Sequence, residues 1–309
     1  MPRLSRFELM SADLPFRRAF RHAAAVRTGS ESLFLKCVTD DGATGFGECL
    51  PRAYVTGETR DTAFALLEES ILPRLIGMEF TSMDDVYRFL SDCDGQAPGG
   101  WIDAYRPHTA AWCAVDLALL DAMGRSFRQP VRLTNVNAYS AAESHDAFRY
   151  SAVVSADCGW NIAVSLLKLR LYGFREVKLK MGRDSVGTAA RLARALMGRA
   201  SVVRVDANMA WDRSEARQNL RALERAGIRC IEQPLDAHDL NGMSSLVRET
   251  EAEIIADESF GDRASLERLI EHRACTGVNV RISKCGGLVA AARRCEEALC
   301  AGLTIHIGC

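Results

Sequence analysis

The sequence predicts an α/β protein, with an N-terminal α+β domain over residues 1–130 and a parallel β/α barrel over residues 131–309. Three observations carry this expectation. Short apolar, β-branched runs recur at a near-constant interval between residues 149 and 307, with helix-periodic segments between them. Three of these runs close on a carboxylate, Asp206 in VVRVDAN, Glu232 in IRCIEQP and Asp257 in AEIIADES, and their separations of 26 and 25 residues fit a strand–helix–strand repeat. Before residue 130 the rhythm is different, with alternating runs first and helical periodicity afterwards.

Taken in order, residues 3–50 alternate in short runs, notably SLFLKCVTD, and DDGATG supplies turn residues before FGECL, which predicts an antiparallel meander. Residues 60–77 (RDTAFALLEESILPRLIG) and 109–124 (TAAWCAVDLALLDAMG) carry apolar side chains at helical spacing, each closing on a glycine suited to a C-cap. From FRQPVRL onward, strands are predicted at 149–154, 175–181, 201–206, 228–232, 253–257, 277–282 and 303–307. Helix-periodic segments lie between, such as NIAVSLLKLRLYG and RSEARQNLRALERAG, which end at Gly173 and Gly227 just before the next strand. The sequence ends at TIHIGC directly after the seventh strand, so the expectation is a barrel whose final β/α unit is missing from a fragment or truncated product.

Bulk properties narrow the function. The 39 Lys and Arg residues balance 40 Asp and Glu residues for a net charge of −1, with no long basic run, which argues against a nucleic acid or anionic membrane surface and for a small-molecule partner. The 11 cysteines are scattered without metal-ligand spacing, and MPRLSRFELM has no apolar signal core, so reduced thiols in the cytoplasm are expected. No apolar run approaches the length of a membrane span.

Asp206, Glu232 and Asp257 are hard oxygen donors placed at strand C-termini, where barrel active sites collect, and they suit Mg²⁺, with Mn²⁺ as a substitute. Any one of them alone would serve as well as a helix N-cap, but the series points to a metal site. Lys178 and Lys180 stand two apart in VKLKMG, so both point to one face of their strand, towards that site. A nearby cation favours the neutral amine, and a lysine so depressed can act as a base.

Read together, these residues resemble the enolase superfamily, and within it the muconate-lactonizing-enzyme and dipeptide-epimerase-like subgroup. The resemblance covers nearly the whole chain, with GFGECLPRAYVTGET and the AAWCAVDLALLDAMG helix as further points of likeness. It implies a capping α+β domain before a modified (β/α)7β TIM-type barrel. It also implies a lysine pair on the second strand and metal carboxylates on the third, fourth and fifth. By position, Lys180 would be the base, Lys178 its electrostatic neighbour, and Asp206, Glu232 and Asp257 the Mg²⁺ ligands. The implied reaction is removal of a proton α to a carboxylate, with the enediolate stabilised by the metal. The sequence leaves the pattern at Arg281 in VNVRISKCGGL, where most relatives carry a second catalytic lysine. An arginine almost never acts as a neutral base, so one-base chemistry survives more easily than two-base epimerisation. Lys284, three residues on, is expected on the opposite strand face in a supporting role.

Asn208, Trp211, Gln233, Glu258 and Ser259 follow the carboxylates closely enough to orient them. By analogy with the family, loops around Arg27 and around Tyr54 and Thr56 would cover the barrel mouth. Gly286 and Gly287 precede a helix whose N-terminus would suit an anion. His306 on the last strand reads as a rim residue. The function expected is an Mg²⁺-dependent isomerase acting on a small carboxylate: a racemase, dipeptide epimerase or cycloisomerase. The alternatives are a lyase of the o-succinylbenzoate synthase type and an inactive remnant or binding scaffold. Assembly into a homo-oligomer is a family expectation.

Overall fold

A computed structural model describes residues 1–308 except 23–24, 104–106, 134–149, 156–158 and 183–185; the side chains of 18–27 and 159–161 are also outside the description. The N-terminal region opens with the expected antiparallel meander, β1 (Leu4–His22), β2 (Ala25–Thr39) and β3 (Thr44–Cys49), in that spatial order. Leu33, Leu35 and Cys37 alternate along β2 and are fully buried, because successive side chains of a strand face opposite ways.

The helical stretch from residue 60 is interrupted. Helix α1 (Arg60–Ala65) begins at a capping box in which Thr59 and Thr62 serve each other's backbone, passes through a π-helical turn (Leu66–Ile71), and ends as α2 (Leu72–Leu75), with Pro73 in its first turn. A proline has no N–H to give to the preceding turn, and the wider π-helical turn directly before it is where the hydrogen-bond ladder adjusts to that loss. Helix α3 (Met83–Cys93) follows, and then α4 (Thr109–Ser126), which is buried on nearly all sides. The expected stop at Gly124 is not used, since α4 runs on to Ser126. Strand β3 lies so close to α4 that a Cβ on Gly45 or Gly47 would overlap the helix backbone, which explains the glycines of GFGEC.

The second region is a single curled sheet of seven parallel strands: β4 (Ser151–Ser155), β5 (Glu176–Lys180), β6 (Val202–Asp206), β7 (Cys230–Glu232), β8 (Glu253–Ala256), β9 (Gly277–Val280) and β10 (Thr304–Ile307). They pair in sequence order, and β4 and β10 are the edges among the described residues. The helices between them are α5 (Gly159–Leu171), α6 (Val186–Met197), α7 (Arg213–Arg225), α8 (Leu240–Glu249) and α9 (Arg263–His272). A short α10 (Ile282–Cys285) and then α11 (Leu288–Cys300) separate the last two strands. Asp212 with Glu215 and Asp262 with Ser265 form capping boxes, and Gly173 and Gly227 adopt the positive φ that lets the chain leave α5 and α7.

Val177, Leu179, Val203, Val205, Ile231, Ile254, Val278 and Val280 belong to the apolar core of this region. The residues alternating with them, including Lys178, Lys180, Arg204, Asp206 and Glu232, meet one another in side-chain contacts on the other face. The inside of the curl is therefore polar. Every observed strand is shorter than its predicted span, and the predicted start of the first, at residue 149, falls outside the described residues. The described cysteines are all unpaired. No helix among the described residues is long and apolar enough to cross a membrane.

The two regions are joined at Gly286 and Gly287. The N-terminus of α11 receives a carboxyl group, the protein's own Asp116, buried in α4, whose Oδ1 accepts from Leu288 N at 2.7 Å. A Cβ on Gly287 would overlap this carboxylate. Burial pushes the Asp116 carboxyl from 3.8 up to about 7, against the opposing pull of the Leu288 and Val289 amides. An acid raised on folding makes the folded state bind more protons between those values, so stability falls as pH rises from about 4 to about 7 and is level above. Melting curves for the wild type and Asp116→Asn should therefore show the wild type losing ground to the variant through that window.

Candidate active site

Three strands place the first part of the site side by side. Lys180 on β5 pairs with Asp206 on β6, and Asp206 pairs with Glu232 on β7, so their Cα atoms are one strand spacing apart, about 4.8 Å. Asp257 lies one residue past the end of β8. All three carboxylates are fully buried. Such groups persist as anions only beside cations or metal, and the cations are present.

Lys178 Nζ lies 2.9 Å from Asp206 Oδ2 and 2.6 Å from Glu232 Oε1. Lys180 Nζ donates to Asn208 Oδ1 at 3.1 Å and lies 3.4 Å from Asp206 Oδ2. Burial is the largest influence lowering the Lys180 amine, and the neighbouring charges of Lys178 and Arg281 lower it further, against the opposing pull of Asp206. For Glu232, burial alone would raise the carboxyl, but Lys178 and Arg204 outweigh it and the net direction is down. Glu258 goes the other way, raised by burial and by Asp206.

The sixth strand departs from expectation. Strand β9 stops at Val280, and Arg281 becomes the N-cap of α10. Lys284 is therefore a helical residue, and the strand alternation that assigned it to the opposite face does not apply. It turns inward instead, donating to Asp257 O at 2.6 Å and to Asp257 Oδ1 at 2.7 Å, with its ammonium 5.3 Å from the Phe260 ring centre. Arg281 Nη2 contacts the other oxygen, Asp257 Oδ2. Burial and the Arg281 charge push Lys284 down to about 7.

The residues next to the carboxylates form a scaffold. Asn208 sits at φ 44°, where its side chain bridges Lys180 and Glu258 and its amide donates to Asp206 Oδ1 at 3.1 Å. Gln233, at φ 38°, accepts from the amides of Asp257 and Ser259 and donates to Leu235 O and Ser259 Oγ. Trp211 is buried and donates to Gly182 O. A cleft of about 360 Å³ opens beside Lys284 and Glu258, between the N-terminal region and the barrel loops, with Thr56, His108 and Phe260 in its wall. Tyr54 is 37% exposed and outside that lining. The Arg27 side chain lies outside the described residues.

Asn279, Arg204 and His306 were not foreseen as parts of this cluster. Asn279 donates to Glu232 Oε1 at 2.8 Å and Arg204 Nε approaches Glu232 Oε2 at 3.4 Å. His306 is inside the curl beneath the carboxylates, against Arg204 and Glu253, and not on the rim. A signal existed for Arg204 and Asn279, since each stands two residues before a candidate site residue and so shares its face.

The donor set fits a hard divalent cation. Asp206 Oδ2 and Glu232 Oε2 are buried acceptors without a well-directed hydrogen bond, and together with Asp257 they form an all-oxygen set on adjacent strands. Asp206, Glu232 and Asp257 would hold the ion. Around them stand Lys178, Lys180, Arg204, Arg281 and Lys284, enough positive charge to receive an anionic substrate.

Comparison with known proteins adds a second line of information. Residues 8–133 match the family model for the mandelate racemase / muconate lactonizing enzyme N-terminal domain, and residues 162–309 match that for the enolase C-terminal domain-like family. The chain is 30% identical to the L-Lys-D/L-Arg epimerase of Methylococcus capsulatus over 299 residues, covering 96% of this chain and 78% of that protein. It is 26% identical to the N-succinyl-L-Arg/Lys racemase of Bacillus cereus over 309 residues, covering 99% of this chain and 79% of the racemase. The crystal structure of the B. cereus racemase superposes with a TM-score of 0.86 at 26% identity, over 99% of this chain and 79% of that one. The dipeptide epimerase from M. capsulatus, solved with Mg and the dipeptide L-Arg-D-Lys, superposes with a TM-score of 0.84 at 26% identity, over 99% of this chain and 83% of that one.

Proposed function

Since the chain belongs to the mandelate racemase / muconate lactonizing enzyme family of the enolase superfamily, we propose that it is an Mg²⁺-dependent isomerase that removes a proton α to a substrate carboxylate, with Lys180 as the base. The observation that carries this reading is the placement of Lys180 beside Asp206, with Lys178 clamped between Asp206 and Glu232. When bound, the ion would take the substrate carboxylate and offset the negative charge that develops as the proton leaves. Lys180 accepts that proton at Nζ, its amine form favoured by burial and by the adjacent charges of Lys178 and Arg281. Asn208 holds the Lys180 ammonium in place, which leaves the base oriented for return of the proton. N-acyl amino acids and dipeptides, the compounds named for the relatives above, are the first probes for α-proton removal.

Arg281 favours a second reading of the stereochemistry. It stands where a second base would be needed for inversion, and it contacts Asp257. A guanidinium does not deprotonate near neutral pH, so proton removal and return take place on the Lys180 side. That chemistry suits a cycloisomerase, or a lyase losing water, better than a racemase.

The test is solvent exchange in D₂O with MgCl₂ and a mixed library of N-acyl amino acids and dipeptides, followed by mass spectrometry and chiral analysis. The expected result is deuterium at the α-carbon with retained configuration. Inversion would overturn the one-sided reading of Arg281. Failure of every substrate, together with no stabilisation by Mg²⁺, would overturn the enzyme reading and leave the binding scaffold.

A further inference from the structure

Beneath the metal-binding carboxylates lies a second polar layer that the proposed reaction does not use. His306 on β10 places Nε2 3.1 Å from Glu253 Oε1 and Nδ1 2.6 Å from Arg204 Nη1. A guanidinium offers donors only, so His306 Nδ1 must accept, and Nε2 carries the proton and donates to Glu253. Thr304 and Cys230 also bond Glu253, and burial of its carboxyl is outweighed by these partners, which hold it down at about 2.

Cys230, Glu253 and His306 bring one sulfur, one oxygen and one nitrogen within 4.8 Å of one another, the donor types of a zinc site. Arg204 argues against that use. A metal on Nε2 would move the imidazole proton to Nδ1, where it would face an Arg204 N–H, donor against donor. The layer is a hydrogen-bond network with a defined tautomer.

Its upper end is Glu232. Lys178 and Asn279 occupy Oε1. Arg204 Nε stands 3.4 Å from Oε2, and both atoms are buried without a well-directed hydrogen bond. Arg204 is thus held just short of closing on this oxygen, and the group that holds its far edge is His306. We infer that His306 is a positioning residue that keeps the Arg204 guanidinium off Glu232 Oε2 and so reserves that oxygen for the divalent cation. The inference rests on the reading of Glu232 as a metal ligand. Without the imidazole, the guanidinium is released to form a two-pronged pair with Glu232, a geometry arginine strongly favours with carboxylates, and it competes with the ion.

Isothermal titration of MgCl₂ into the full chain tests this with His306→Leu, His306→Gln, Arg204→Gln and the double variant Arg204→Gln/His306→Leu. The expected loss of Mg²⁺ affinity in His306→Leu is about 10–100-fold, the usual effect of removing a residue that orients a metal ligand. His306→Gln should recover most of it, since an amide can accept from Arg204 and donate to Glu253. In the Arg204→Gln background, His306→Leu should change nothing, because the competing guanidinium is gone. Should His306→Leu not fold, His306→Asn, too short to reach both partners, replaces it with the same expectation. Equal Mg²⁺ affinity in wild type and variant overturns the inference, as does an undiminished loss in the Arg204→Gln background, which would mean that His306 acts through packing alone. A wild type that binds no Mg²⁺ refutes the metal reading of Glu232 itself, a distinguishable result.

Discussion

Lys180→Ala is expected to lower α-proton exchange by about 10²–10⁴-fold, the usual contribution of a positioned general base. Lys180→Arg should be as inactive, because it keeps the positive charge but cannot supply a neutral base near pH 7. The pair separates a base from a merely electrostatic role, which arginine would preserve. The wild-type profile carries a further sign. The amine is lowered from 10.5 by burial and by its cationic neighbours Lys178 and Arg281, so the rate should rise with pH and level off below that value. Mass-spectrometric exchange across a pH series checks both points. Exchange by Lys180→Arg at the wild-type rate would remove Lys180 from the mechanism.

Glu232→Gln should be the most damaging single change to stability in the site. Glu232 is fully buried and balances Lys178 and Arg204 while accepting from Asn279. Neutralising it leaves two cations under-compensated, and breaking a buried ion pair in this way typically costs about 3–5 kcal/mol. Denaturation in urea without metal reads that cost directly. Mg²⁺ supplies the second readout. An ion that binds only the folded state at 100 times its dissociation constant adds about 2.7 kcal/mol, and the variant should lose this increment. Adding Lys178→Met to Glu232→Gln should return part of the metal-free stability, since one stranded charge is removed, but none of the response to Mg²⁺. A full Mg²⁺ response in Glu232→Gln would exclude it as a ligand.

Much of the candidate site was legible because a β-strand alternates strictly. Lys178 and Lys180 are two apart, so they share a face, and the structure brings both amines to Asp206. The same rule, carried two residues back from Asp206 and from Glu232, leads to Arg204 and Cys230, the first steps into the layer that ends at His306. Lys284 marks where the rule ends. Counting by twos is valid only while the strand continues, and β9 gives way to α10 at Arg281. Turning the chain into a helix at that point swings Lys284 onto Asp257, and no periodicity in SKCGG announces it. The glycine pair that follows was readable as a helix N-terminus suited to an anion, but the carboxyl group that occupies it, that of Asp116, comes from 172 residues away.

By itself, the sequence determined the seven parallel strands, the meander before them and the three carboxylates at strand ends, because apolar periodicity and strand phase are local properties repeated many times. Tertiary structure alone decided which cation answers which carboxylate. It decided that Arg281 and Lys284 converge on Asp257, that Arg204 stands between His306 and Glu232, and that Asp116 closes the N-terminus of α11. The physical reason is that a buried charge must find a counter-charge within a few ångströms, and only the curl of the sheet sets which strands come that close across the interior.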